Sequence, residues 1–246
     1  MKWPIVKGHI VLLTGGAPYL GGPHTWQPLR DAAADLDFRD LDLLDVSVRD
    51  DFSAAVKNAI TSAADGAAAI VAHGAIAGAA LEAIAKLRAN IPVVLLSPIA
   101  VTKDSAFLRA FRAALNGPLG AFLTAAARSK RKKLLTDELS LRRQMERLVR
   151  SDKISDALFQ EARGRLADPR MDAFVQRTPQ ILRALLTPST AVAQFKGASF
   201  FGHSPMDRKV RKRVCGTLLE AAWSAPMLEA PESVADHLQQ ILTFSM

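Results

Sequence analysis

Six consecutive residues, Gly202-His203-Ser204-Pro205-Met206-Asp207, bring an imidazole, a hydroxyl and a carboxylate close together in the chain. Such a group can move protons, with His203 as general base and Asp207 orienting it. Nearness in sequence is not geometry, and a polar surface loop after a strand is the plainer reading, which we favour. His73 sits at the end of an apolar run, directly before Gly74. His9 and His24 share no metal-pair or zinc-motif spacing with carboxylates, so no metal site is expected. Cys215 is the one cysteine, which excludes an internal disulfide and a cysteine-based metal site; a passive small residue is its expected role.

Thr14-Gly15-Gly16-Ala17 closes an apolar run with a glycine pair, the mark of a buried strand entering a tight loop. It is not a phosphate-binding P-loop, because no G-K-[ST] follows. Arg128–Lys133 (RSKRKK), continued by Arg142, Arg143, Arg147 and Arg150, and Arg208–Arg213 (RKVRKR) form basic runs. They could face an anionic partner such as an acidic protein, anionic lipid or a phosphate-bearing carrier. A solvated helix face, partly offset by Asp137, Glu138 and Glu146, is the reading we favour. Neither run interleaves aromatics with its cations, which argues against nucleic acid.

The elements that must position these residues alternate in the first hundred residues. IVLLTGG (10–16), AAAIVAHG (67–74) and IPVVLLSPI (91–99) read as strands, and FRDLDLLDVS (38–47) as a strand and turn. Helical spacing fills 51–64, with Phe52, Ala55, Val56, Ala59 and Ile60 on one side, and 75–89 is rich in alanine and leucine. Runs apolar on both faces, alternating with helices, predict a mostly parallel α/β sheet covered on both sides. Residues 101–187 show only helical stretches, broken at Asn116-Gly117-Pro118, Ala167-Asp168-Pro169 and Thr178-Pro179. We therefore expect a core domain of residues 1–100 and 188–246 with a helical cap of 101–187 inserted after the strand Ile91–Ile99. TAVAQFKG (190–197) is predicted as the strand that resumes the core, and 231–243 as the last helix. The cap's Phe107, Phe111, Leu115, Phe122, Leu123, Phe159, Phe174 and Leu182 are expected on an apolar underside facing the sheet edge.

Three segments, in this order, resemble the α/β-hydrolase family. HIVLLTGGAP (9–18) with TWQPLRDA (25–32) looks like its first core strand, oxyanion loop and following helix. IVAHGAIAGAALEA (70–83) resembles its strand–elbow–helix, which normally reads G-H-S-x-G-G. APMLEAPESVADHLQQIL (225–242) resembles its C-terminal segment, which normally begins G-H-x-P. The resemblance implies an α/β-hydrolase sheet flanked by helices. It also puts Gly74 at the nucleophile, Ser224 at the histidine and Phe200 at the acid, so the conventional Ser-His-Asp mechanism is expected to be missing. Gly74 tolerates positive φ, so the elbow could survive without its chemistry. A register shifted by two residues would put Ile76 there, which is no better a nucleophile. Thr14, Gly15, Gly16 and Ala17, with Gly74, Ala75 and Ile76, remain as a ligand-binding expectation, since oxyanion binding needs only backbone donors.

At 246 residues, 49% apolar and 23% charged, the chain is an ordinary globular one, with no apolar run long enough to span a bilayer and no reading as a signal peptide. A cytoplasmic protein is expected. The net charge of +8 is the unusual bulk feature. The leading expectation is a non-hydrolytic pseudoenzyme that binds a small apolar or acyl-type ligand, or a protein partner, with no cofactor. The alternatives are a lyase, cyclase, isomerase or atypical hydrolase using relocated groups, and a basic interaction protein with a vestigial pocket. Convergence of His203 and Asp207 on the crevice would favour the enzyme. An open apolar pocket would favour the binder. A crevice filled by Ile76 and Phe200 would favour the interaction protein.

Overall fold

A computed structural model describes residues 8–15, 17, 19–46, 52–87, 91–99, 104–189, 191, 194–211, 214 and 216–244. The predicted apolar runs become the strands β1 (His9–Gly15), β2 (Phe38–Leu41), β3 (Ala67–Gly74) and β4 (Val93–Leu96). Two more, β5 (Ser199–Phe201) and β6 (Thr217–Leu218), complete a six-stranded sheet in the order β2-β1-β3-β4-β5-β6, with every neighbouring pair parallel. Each parallel connection needs a crossover, and helices supply them. They are α1 (Pro23–Ala32), α2 (Leu43–Val46), α3 (Phe52–Ala63) and α4 (Ala77–Leu87) in the first half.

Between β4 and β5 run α5 (Ala106–Ala114), α6 (Pro118–Thr136), α7 (Glu138–Met145), α8 (Asp156–Ala167), α9 (Arg170–Gln176) and α10 (Thr178–Leu185). Local chemistry sets their limits. Ser105, Asp137 and Ser155 accept backbone N–H groups at the starts of α5, α7 and α8, and Pro118 opens α6 at a position where its missing N–H costs nothing. The chain ends through α11 (Pro205–Arg211), α12 (Pro226–Glu229) and α13 (Pro231–Phe244).

One sequence expectation is displaced. Ala191 and Gln194, inside the predicted strand 190–197, are helical, and the strand lies at Ser199–Phe201 instead. The apolar residues of 190–197 misled because a short buried run does not separate strand from helix by periodicity.

Alternation along the strands divides the core in two. Ile10, Leu12, Val71, Leu96 and Phe200 face a layer that includes Trp26, Met145, Leu158 and Leu238. Val11, Leu13, Ile70, Leu95 and Phe201 face the α3–α4 side, with Val56, Ile60, Ala80 and Val210. Helices α7, α8 and α9 thus contribute Leu141, Phe159 and Met171 to the first core. Phe107 and Phe122, expected on an apolar underside, stand 74% and 67% exposed. Periodicity located an apolar face on α5 but could not say which way it points.

Candidate functional site

The strand order reverses between β1 and β3, where β2 lies on one side of β1 and β3 on the other. In open parallel sheets a ligand crevice forms at such a switch point, beyond the carboxyl ends of the strands. Gly15 and Gly74 are register partners at those two ends. Gly74 has φ +74°, and α4 begins at Ala77, so strand, turn and helix follow within three residues. Glycine reaches this left-handed region at little cost.

Gly15, Gly74 and Ile76 pack closely against one another at this point. The carbonyl oxygen of Gly15 lies where a Cβ on residue 74 would go, so any side chain there would collide with it. The same oxygen accepts the N–H of Ala75 at 3.3 Å. Ile76 is 2% exposed, and a Cβ on Gly15 would come within 2.7 Å of the Ile76 Cβ. Ile99 N–H donates to the Gly74 carbonyl at 3.0 Å, which holds the elbow from the other side. Ala17 is buried, Thr14 is buried with its hydroxyl unpaired among the described residues, and Gly16 lies outside the described residues.

A second backbone donor group close in sequence to this loop is also taken. Glu161, from α8, accepts the N–H of His24 at 2.6 Å and the hydroxyl of Thr25 at 3.1 Å in the first turn of α1. Thr25 in turn accepts the N–H of Gly21 at 2.9 Å. A helix N-terminus favours negative charge, and here a carboxylate of the chain supplies it. Glu161 was missed in the sequence, since nothing local marks a contact across 136 residues.

The other site residues separate into structural roles. His73 donates from Nε2 to the carbonyl of Ser224 at 2.8 Å, leaving Nδ1 unpaired among the described residues. Burial pushes its pKa below the ordinary 6.5, with the bond to Ser224 opposing. Ser224 is buried, and its N–H, with those of Trp223 and Ala225, points at one oxygen of Glu229, at 3.0, 2.6 and 3.0 Å. The other oxygen of Glu229 accepts Arg150 N–H at 2.7 Å. Phe200 lies inside β5 against the His237 ring, 4.6 Å between centroids, so it sits within a strand and not in a loop after one.

His203 and Asp207 are not brought together as a pair. His203 meets the exposed Glu220 at 3.2 Å. Asp207 turns inward, 1% exposed, where one carboxylate oxygen accepts Ser97 Oγ–H at 2.8 Å and Gly202 N–H at 2.7 Å. Burial raises its pKa, against hydrogen bonds from Ser97, Gly202 and Ser204 that lower it. Ser97 follows β4 with φ +42°, the one non-glycine residue with positive φ among those described. The Asp207 clasp therefore ties the ends of β4 and β5 together. An apolar groove of about 620 Å³ lies at the opposite end of the sheet, where Ile91, Val93, Phe195, Gly197 and Ile241 line the starts of β4 and β5.

No family model and no curated protein sequence matches the chain. Solved structures do. A 2-hydroxy-6-oxo-6-phenylhexa-2,4-dienoate hydrolase from a Rhodococcus species superposes with a TM-score of 0.60 at 15% identity, over 95% of this chain and 90% of that one. The epoxide hydrolase CorEH gives 0.60 at 16% identity, over 98% and 93%. A proline iminopeptidase-related protein from Thermus thermophilus gives 0.53 at 19%, over 98% and 91%. The chain has the α/β-hydrolase fold.

Proposed function

We propose that this α/β-hydrolase-fold chain is non-hydrolytic and works by binding a partner through its surface, the crevice being vestigial. The observation that carries this reading is the Gly15 carbonyl in the space a nucleophile at residue 74 would need. A serine hydrolase must hold its nucleophile, base and acid in hydrogen-bond contact and keep backbone donors open for the oxyanion. In this reading Gly74 and Ser224 stand at the nucleophile and histidine positions, and the Ala75 N–H is already bonded. Residues 101–187 act as a cap that has closed down, with Glu161 fixing α8 to the start of α1. The enzyme alternative finds less support, because His203 and Asp207 have different partners. An apolar-ligand site at the crevice finds less too, with Ile76 only 2% exposed beside Gly15.

The reading is tested by titrating octanoate into the protein while following isoleucine methyl resonances. The Ile76 methyls should not move. Saturable shifts centred on Ile76 would reopen the crevice as a ligand site and defeat the proposal.

A further inference from the structure

Helix α5 leaves part of its apolar surface facing outward. Phe107, Ala110, Phe111 and Ala114 fall on one side at i, i+3, i+4 and i+7, the spacing that normally turns inward. Here Phe107, Ala110 and Ala114 are exposed, Phe111 is half-buried with its ring stacked on Phe107 at 6.2 Å, and no residue of α5 is buried. The side turned to the body carries the half-buried Leu108, Phe111 and Arg112 and runs on to the buried Leu115. Arg112 donates to the Leu186 carbonyl at 3.0 Å and pairs with Asp104 at 2.9 Å. Helix α6 continues the pattern on its outward face, which is Ala121, Phe122, Ala125 and Ala126 in its first half and Arg128, Lys132 and Lys133 in its second, all exposed. None of these three cations has an ion pair among the described residues, whereas Arg131 beside them is bound to Asp172.

We propose that the exposed surfaces of α5 and α6 form a docking face for an anionic lipid surface. The proposal rests on the reading of the chain as a surface binder and names its partner. Projecting phenylalanines with flanking cations suit the headgroup–acyl boundary, where rings insert without needing a complementary pocket and cations meet anionic headgroups. A second copy of the chain is disfavoured, since each copy carries +8 and the patch is edged by cations. Among the described residues no helix is long and apolar enough to cross a membrane, so the contact is with the surface.

Flotation of the full chain with vesicles tests this. Vesicles of equal phosphatidylserine and phosphatidylcholine should carry the protein up at low salt, and pure phosphatidylcholine should not. Phe107→Asp with Phe122→Asp should weaken binding by about tenfold or more, and Arg128→Glu with Lys132→Glu by a similar factor that high salt mimics. Phe107→Leu should keep most of the binding, and unchanged melting temperatures would show that these exposed substitutions leave the fold intact. Absence of flotation, or flotation indifferent to the phenylalanines, would overturn the proposal. So would a self-association in sedimentation that Phe107→Asp abolishes while vesicles are ignored, which would give the face to a second copy. Ester turnover is read separately, so failure here leaves the crevice reading standing on its own test.

Discussion

Gly74 combines a left-handed backbone with a space that no side chain can enter, and the two constraints give one prediction. Gly74→Ser should cost at least about 2 kcal/mol of stability, from the strained φ and the collision with Gly15, and should restore no esterase activity. Denaturant unfolding with an ester assay reads both. His73 carries a pH signature. An unfolded histidine takes up a proton near 6.5, but the buried ring resists it, so the unfolded state binds more protons below that pH. Stability should fall as pH drops from 6.5 towards the lowered folded value, and His73→Gln should flatten that slope in thermal melts from about pH 7.5 to 5. Asp207 works in the opposite sense. Its folded pKa is raised, so its contribution is complete below 3.8 and is lost as pH rises through the folded value. Asp207→Asn keeps an oxygen for Ser97 and Gly202 and should be nearly neutral near pH 7. Asp207→Ala leaves both donors buried and unpaired and should cost about 2–4 kcal/mol.

At the scale of elements, the carboxylates hold segments together. Glu229 gathers the N–H groups of Trp223, Ser224 and Ala225 on one oxygen and Arg150 N–H on the other, which joins the turn after α7 to the start of α12. Glu229→Ala should cost more than about 3 kcal/mol, and Glu229→Gln, with one acceptor oxygen left, roughly half that, in urea unfolding. The strands β1, β3 and β4 were legible in the sequence because continuous apolar runs bounded by glycine and proline have one economical fate in a parallel sheet. The end of β3 at Gly74 and the turn into α4 were legible too, because an apolar run closing on glycine marks a strand entering a tight turn. The strand at Ser199–Phe201 was not, because three residues are too short to show alternation, and the helical 191 and 194 beside it lie in an equally apolar setting. With the strand misplaced, Phe200 was set at a loop position it does not occupy. Glu161, Glu229 and the Ser97–Asp207 clasp depend on contacts far apart in sequence, for which a single chain carries no pattern.

For the whole molecule, fold and activity are separate questions. The sheet order and crossovers superpose on hydrolases at 15–19% identity, yet fold similarity at that level says nothing about the chemistry at the strand ends. Function lives in the site, and here Gly15, Gly74 and Ile76 pack closely at the switch point, while Phe107 of α5 and the cations of α6 lie on the surface. The most direct measurement is turnover of p-nitrophenyl acetate and butyrate by the purified chain, with fluorophosphonate labelling followed by peptide mapping. No turnover above the uncatalysed rate and no labelled serine are expected. Rapid turnover with the label on a single serine would contradict the closed crevice and place an active nucleophile elsewhere in the chain.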